Sequence, residues 1–199
     1  MKLHYVRCTL VLVLWAAPVW AGSPPTPVTA VLMPEGQYSS IAIGEMGREA
    51  SRILKQTGVR LRWHLGSEQV PSGLLVVVRL LGRCEMGGPS AEMKSRTLGW
   101  ADEVDGEILP FSELACDNIR GFIQATLLPR SLPANVMLGR AMGRVLAHEL
   151  YHIVADTAQH GRNGVAEAEF SPRELISGRL ELQPSDVEAI RDGLRQARR

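Results

Sequence analysis

The strongest constraint on the fold is the longest helical pattern in the chain, which runs from Ala134 to Ala155. Apolar residues recur along it with the spacing of an α-helix. They are Val136, Met137, Leu138, Met142, Val145, Leu146, Leu150, Ile153 and Val154. A helix with this many apolar positions needs other elements around it, so we expect it to be largely buried.

Strand patterns precede this helix. Residues 28–33 form a short β-branched run, and Val59–Leu65 alternates apolar with polar residues. Leu74–Leu81 is almost continuously apolar, which is typical of a central strand covered on both faces. Residues 97–101 and 106–111 predict two more short strands. Three prolines between positions 23 and 27 discourage a helix or central strand there.

Shorter helices are expected on both sides of the long one. Helical spacing extends over residues 39–56, whereas residues 112–126 fit a helix or a strand equally well. Two Ser-x-x-Glu capping boxes, starting at Ser171 and Ser185, predict two short helices at the end of the chain. Strands and helices in this order indicate an α+β fold.

The amino-terminal residues have the order of a signal peptide. A basic start with Lys2 and Arg7 is followed by an apolar run over residues 8–20 and a small residue, Ala21. The run is shorter than the roughly 20 residues that span a bilayer, although a retained anchor is the alternative. We therefore predict a signal peptide at residues 1–21 and a secreted or periplasmic mature protein with no membrane segment.

Composition and charge limit the remaining possibilities. The chain has 199 residues, of which 45% are apolar and 22% charged, and these proportions suit one packed domain over residues 22–199. Its 22 basic and 21 acidic residues give a net charge of +1. Nucleic acid and anionic membranes are therefore not expected as partners. The oligomeric state does not follow from the sequence.

Two cysteines remain once the signal peptide, which contains Cys8, is removed. An even number in an oxidising compartment favours one disulfide bond between Cys84 and Cys116. The alternative is a pair of buried, unpaired thiols.

The motif that carries chemistry is His148-Glu149-Leu150-Tyr151-His152, an HExxH sequence within the long helix. Four residues at about 100° each bring the second imidazole to nearly the same face, one turn along. Both rings can then bind one metal ion, and zinc takes imidazole nitrogens at about 2.0–2.1 Å while keeping a site for water. Glu149 lies beside the pair and can accept a proton from that water.

A third protein ligand is expected shortly after the helix. His160 is the preferred candidate, because residues 156–159 let the chain leave the helix and Gly161 and Gly164 permit a tight return. Glu167 or Glu169 would make a His-His-Glu site instead. Asp156 is either a helix-end residue or a partner that orients an imidazole.

The stretch 148–170 resembles the zincin metallopeptidases, in particular the metzincin-like branch found in small secreted bacterial proteins. The resemblance implies a zincin-like α+β fold with a small mixed twisted sheet, an early helix, a long HExxH helix and short carboxy-terminal helices. It also implies that His148, His152 and His160 bind zinc and that Glu149 is the general base. In that family the substrate lies along an edge strand, for which residues 106–111 are the candidate.

Three features depart from the metzincin pattern. Ala155 and Ala158 stand where the usual motif has Gly and His, no methionine follows Met142, and no tyrosine follows Tyr151. The sequence therefore leaves two hypotheses. The leading one is a secreted zinc peptidase that acts on a peptide or protein substrate, and the alternative is a non-catalytic zincin-like module that binds metal or a partner protein.

Overall fold

We describe a computed structural model of the chain, which covers residues 25–66, 73–88, 93, 95–126 and 132–197. The strands are β1 (Thr26–Pro34), β2 (Val59–Leu65), β3 (Leu74–Leu81), β4 (Gly99–Val104) and β5 (Glu107–Ala115). The helices are α1 (Ser40–Leu54), α2 (Cys116–Gln124), α3 (Ala134–Ala155), α4 (Pro172–Ile176) and α5 (Pro184–Gln196). Short 3₁₀ turns lie at Lys55–Thr57 and Gly164–Ala166.

The five strands form one mixed sheet in the order β2-β1-β3-β5-β4. β1 pairs in parallel with β2 and β3, β3 pairs in parallel with β5, and only β4 runs antiparallel, beside β5. A two-residue turn, in which Asp105 and Gly106 have positive φ, joins these last two strands. The predicted α+β class with a mixed sheet is confirmed.

The sheet corrects two expectations. The prolines do not keep the chain out of the sheet, because β1 starts at Thr26; Pro27 is tolerated where β1 pairs with β2 alone, since its register with β3 begins at Val28. β3 is the central strand, but it is not covered on both faces. Its side chains alternate between the core (Val76, Val78, Leu80) and an exposed face (Leu75, Arg79).

α3 packs closely against α1. A methyl group at Gly139 would lie 2.4 Å from the carbonyl oxygen of Ala42, and one at Gly143 would lie 2.7 Å from that of Met46. The two glycines are four residues apart and so lie on one helix face. They let the backbones of the two helices approach to a distance that a larger residue would prevent.

The predicted burial of α3 is confirmed. Leu138, Met142, Leu146 and Leu150 are completely buried in the hydrophobic core, and α3 contacts α1, α2, α4, α5, β4 and β5. Even a charged residue of α3, Arg144, is 1% exposed and pairs with Glu49 of α1 at 2.8 Å.

The stretch 112–126, which left helix and strand open, contains both. β5 continues to Ala115 and α2 begins at Cys116. The expected disulfide is confirmed, because Cys116 is bonded to Cys84 with 5.0 Å between the Cα atoms. The bond joins the start of α2 to the loop that follows β3.

Both short carboxy-terminal helices are present. Ser171 caps α4 with the predicted capping box. Oγ of Ser171 accepts a hydrogen bond from the backbone N–H of Glu174, and the carboxylate of Glu174 accepts one from the backbone N–H of Ser171. The box predicted at Ser185 is wrong. α5 is capped two residues earlier, by Gln183, so Pro184 is the first residue of the helix and Asp186 is the partner of the cap.

The predicted signal peptide, residues 1–21, lies outside the described residues. In the described part of the chain, no helix is both long and apolar enough to cross a bilayer.

Candidate metal centre

α3 places the two motif histidines side by side. Their Nε2 atoms are 3.1 Å apart and their ring planes are nearly perpendicular, at 77°. Both side chains are buried, with 7% of each residue exposed. The four-residue spacing of the motif therefore produces the paired imidazoles that the sequence predicted.

Backbone carbonyls fix the orientation of both rings. Nδ1 of His148 donates to the carbonyl oxygen of Val165 at 2.8 Å, and Nδ1 of His152 donates to that of Thr157 at 2.6 Å. Because a carbonyl oxygen only accepts, each Nδ1 carries the hydrogen and each neutral ring keeps a lone pair on Nε2. The two Nε2 atoms that carry the lone pairs lie 3.1 Å apart, so both can bind the same metal ion.

The chain leaves α3 through a left-handed residue and returns with His160. Asp156 has φ 49° and ends the helix, with its backbone N–H bonded to the carbonyl of His152. The backbone N–H of Gly161 then donates a hydrogen bond to the carbonyl oxygen of Ala166, with 2.7 Å between nitrogen and oxygen. This hydrogen bond closes the loop that holds His160 in place. Of the two roles expected for Asp156, the structure favours the helix-end residue.

The loop carries the third imidazole to the pair. The ring centroid of His160 lies 5.3 Å from that of His148 and 4.8 Å from that of His152. One nitrogen from each of the three residues lies within 4.8 Å of the others, and neither Glu167 nor Glu169 belongs to this group. The structure thus brings together the three predicted histidines, and His64 stays apart on β2.

The donor set fits a metal ion. Tetrahedral ligands about 2.0–2.1 Å from zinc lie roughly 3.3 Å from one another. The observed 3.1 Å between the Nε2 atoms of His148 and His152 is close to that value, and the exposed His160 can close the remaining gap. The three histidines can therefore hold one metal ion.

Burial shifts the titration of this region. Desolvation lowers the pKa of His148 to about 4, although its bond to Val165 acts in the opposite direction. The pKa of His152 is also lowered, chiefly by burial. Both rings thus stay neutral at pH 7, which is the form that binds metals.

Glu149 is directed toward β4 rather than into solvent. It is 4% exposed, and its carboxylate accepts a hydrogen bond from the backbone N–H of Ala101. Desolvation raises the pKa of Glu149 to about 8, and the Ala101 bond offsets only part of this shift. A cation held by the imidazoles would oppose the shift, because it favours the charged carboxylate.

These residues lie at one cleft with a volume of about 740 Å³. The cleft contains His148, Glu149, His152 and His160, and the rest of its lining is both polar and apolar. Its other charged residues are Arg96, Glu103 and Glu169, and the larger apolar side chains that line it are Leu98, Trp100, Ile108, Phe122, Val145, Phe170 and Pro172. The ring of Phe170 packs edge-on against that of His148, with 5.6 Å between their centroids. The arrangement can enclose an extended ligand beside the histidines.

One strand assignment is wrong. Residues 106–111 were the expected edge strand, but β5, which contains most of them, lies between β3 and β4. The edge beside the histidines is β4, Gly99–Val104. Strand order depends on contacts between distant residues, which the local pattern does not contain.

Sequence reasoning missed two residues of the site, Gly99 and Ala101. Both belong to β4 and both contact or approach Glu149. The glycine at the start of a strand was the available signal, because such a glycine often marks a close approach. Tyr151 is 5% exposed and packs in the core, whereas Arg162 is exposed and does not line the cleft.

Comparison with known proteins found no protein-family model that matches this sequence and no matching curated protein.

Proposed function

We propose that the protein is a secreted zinc-dependent peptidase of zincin-like fold. One observation supports this most strongly: three imidazoles converge beside a carboxylate in a cleft that runs along an open sheet edge. Ligands for one ion, a proton acceptor and a surface for an extended chain are the parts that hydrolysis of a peptide bond requires.

His148, His152 and His160 would hold the zinc ion. The backbone bonds to Nδ1 of the first two rings orient their lone pairs before any ion arrives, so little ordering remains for binding. When bound, the ion supplies Lewis acidity that polarises a carbonyl group and makes water a stronger acid.

Glu149 would act as general base. It follows His148 directly in the motif, and its carboxylate lies in the same cleft as the three histidines. It would take the proton from the attacking water and deliver it to the leaving amine. Val145 and Leu98 line the cleft near it and limit competition from bulk water.

The substrate would be a peptide in extended conformation. β4 is an edge strand, and an edge offers unpaired backbone groups to an added strand. Trp100, Ile108 and Phe122 form apolar walls that suit the side chains of such a peptide.

Export to an oxidising compartment fits this function. The disulfide between Cys84 and Cys116 is compatible with an extracellular or periplasmic location. The signal peptide expected at residues 1–21 would direct the protein there.

Glu149→Gln tests the assigned chemistry. The amide keeps the size of the side chain but accepts a proton poorly, so we expect the variant to bind zinc like the wild type and to lose peptide hydrolysis. Zinc content and cleavage of a peptide library are the measurements, with His64→Ala as the matched control. Hydrolysis at the wild-type rate in Glu149→Gln would refute the general-base role.

A non-catalytic zincin-like module that binds metal or a partner protein is the second candidate. Among the described residues that line the cleft there is no tyrosine to steady a developing oxyanion, and this favours the second candidate. Wild-type protein with one bound zinc and no cleavage of any library peptide would select it over the peptidase.

A further inference from the structure

Gly99 lies at the closest approach between β4 and α3. A methyl group there would meet Cγ1 of Val145 at 2.8 Å, Oε1 of Glu149 at 3.0 Å and Cδ2 of Leu114 at 3.0 Å. The methyl groups of Val145 and Leu114 are buried, so neither can move aside without disturbing the core. Any side chain at position 99 would therefore displace the Glu149 carboxylate or push β4 away from the helix.

Ala101 supplies the second contact with Glu149. The carbonyl of Leu98 accepts a bond from Ala115 of β5, so the backbone groups of Leu98 and Trp100 point into the sheet. The backbone groups of Gly99 and Ala101 then point away from β5, to the open edge of the sheet. There the N–H of Ala101 donates a hydrogen bond to the carboxylate of Glu149. This bond does not compete with the sheet, because it uses a group that β5 leaves unpaired.

We propose that Gly99 and the N–H of Ala101 together position the Glu149 carboxylate, one by leaving space for it and the other by holding it. Both are positioning residues, which act through Glu149. The proposal rests on the proposed function, since it assigns the geometry of the same general base.

The arrangement also limits how a peptide can bind. The N–H of Ala101 is already hydrogen-bonded to Glu149. A peptide strand added to β4 can therefore pair with the backbone groups of Gly99 and with the carbonyl of Ala101, but not with that N–H. The carboxylate thus occupies one donor on the open edge of β4, in the part of the cleft that also contains the histidines.

Two variants test whether Gly99 and Ala101 position the Glu149 carboxylate. Gly99→Ala fills the space, and Ala101→Pro removes the donor at an edge position that tolerates proline. We expect each to keep wild-type zinc content and to lower kcat by about a hundredfold with little change in KM, the effect of a misplaced catalytic group. Gly44→Ala is the matched control, because it adds a methyl group into open space on α1 and should retain wild-type turnover.

A measurement on the amide does not depend on catalysis. In the ¹H–¹⁵N spectrum of the full mature protein, the Ala101 amide should exchange slowly and shift downfield in the wild type and in Gly44→Ala. It should lose both properties in Glu149→Ala and in Gly99→Ala. The hydrogen bond, rather than the fold, is then the property that changes.

The outcomes separate this inference from the proposed function. If the wild type does not cleave peptides but its Ala101 amide signal changes in Glu149→Ala, the proposed peptidase function is contradicted. The contact between Ala101 and Glu149 is then still supported. An active wild type with turnover within twofold in both Gly99→Ala and Ala101→Pro would overturn the positioning role. If Gly99→Ala does not fold, Ala101→Pro and the amide signal in Glu149→Ala decide the question, and an unchanged signal overturns it.

Discussion

At the scale of single residues, His160 is the proposed ligand whose role is easiest to isolate. It is exposed and lies on a loop, whereas His148 and His152 are buried in α3. Its substitution should therefore remove one imidazole with little effect on the core.

We expect His160→Ala to bind zinc at least tenfold more weakly than the wild type, because two imidazoles remain where three converged. Titration of metal-free protein with zinc measures the change. His64→Ala removes a histidine that lies apart from the other three, on β2, and should leave the zinc affinity unchanged. Unaltered affinity in His160→Ala would move the third ligand to Glu167 or Glu169.

The residues of the site could be predicted to different extents. His148, Glu149 and His152 follow from a motif whose helical spacing alone brings the groups together. His160 followed from a loop with suitable glycines, but its distance from the pair depends on the left-handed Asp156 and on the bond between Gly161 and Ala166. A glycine in a strand was the one signal for Gly99, and Ala101 had none, because the contacts of both residues with Glu149 join segments about fifty residues apart in the sequence.

At the scale of elements, the contact between α1 and α3 determines where the histidines lie. Gly139 and Gly143 of α3 touch the backbone of α1, and the motif begins at His148, less than two turns after Gly143. A change at this contact would shift the helix that carries both motif histidines.

Gly143→Ala should destabilise the protein by about 1–2 kcal/mol. The added methyl group would lie 2.7 Å from the carbonyl oxygen of Met46 and 2.8 Å from Cβ of Glu49, and such overpacking outweighs the gain in helix propensity. Urea unfolding measures the free energy. Gly44→Ala, in open space on α1, should instead stabilise by up to about 1 kcal/mol, and equal effects of the two substitutions would contradict the close packing.

Whether a segment forms a helix or a strand followed from its local sequence pattern. Whether each face of a strand is covered by helices did not. The alternation in Val59–Leu65 and the helical spacing in Ala134–Ala155 predict the observed elements, because each reflects a face that is buried. The apolar run Leu74–Leu81 gave no alternation, so its one exposed face was missed. Whether a face is covered depends on where the helices pack, and this is a property of the tertiary structure.

At the scale of the whole molecule, a buried ion pair joins α1, α3 and the carboxy-terminal segment. Arg144 donates to Glu49 at 2.8 Å and to the carbonyl oxygens of Ser177 and Gly178 at 2.8 and 2.7 Å. Arg52 also donates to Glu49, at 2.9 Å, and to the carbonyl of Leu180 at 2.8 Å. The network links the helix of the histidines to α1 and to the segment between α4 and α5.

This network predicts how stability depends on pH. Burial alone would raise the pKa of Glu49, but hydrogen bonds from Arg52 and Arg144 and their charges lower it below the ordinary value of 4.5. A carboxyl group with a lowered pKa in the folded state stabilises the protein above its unfolded pKa. That contribution is lost as the pH falls through the folded value.

Glu49→Gln should therefore be about 3 kcal/mol less stable than the wild type at pH 7, since it leaves Arg144 buried without a counter-charge. The difference should shrink as the pH falls below about 4.5. Urea unfolding of both proteins in chelator from pH 7 to pH 3 measures it. A difference that stays constant over this range would contradict the account.

X-ray absorption at the zinc edge, on mature protein with one equivalent of zinc, tests the central claim most directly. We predict three imidazole nitrogens at about 2.0–2.1 Å and one further light atom. A spectrum that requires fewer than three imidazoles, or a protein that does not retain the zinc, would contradict the proposed metal centre.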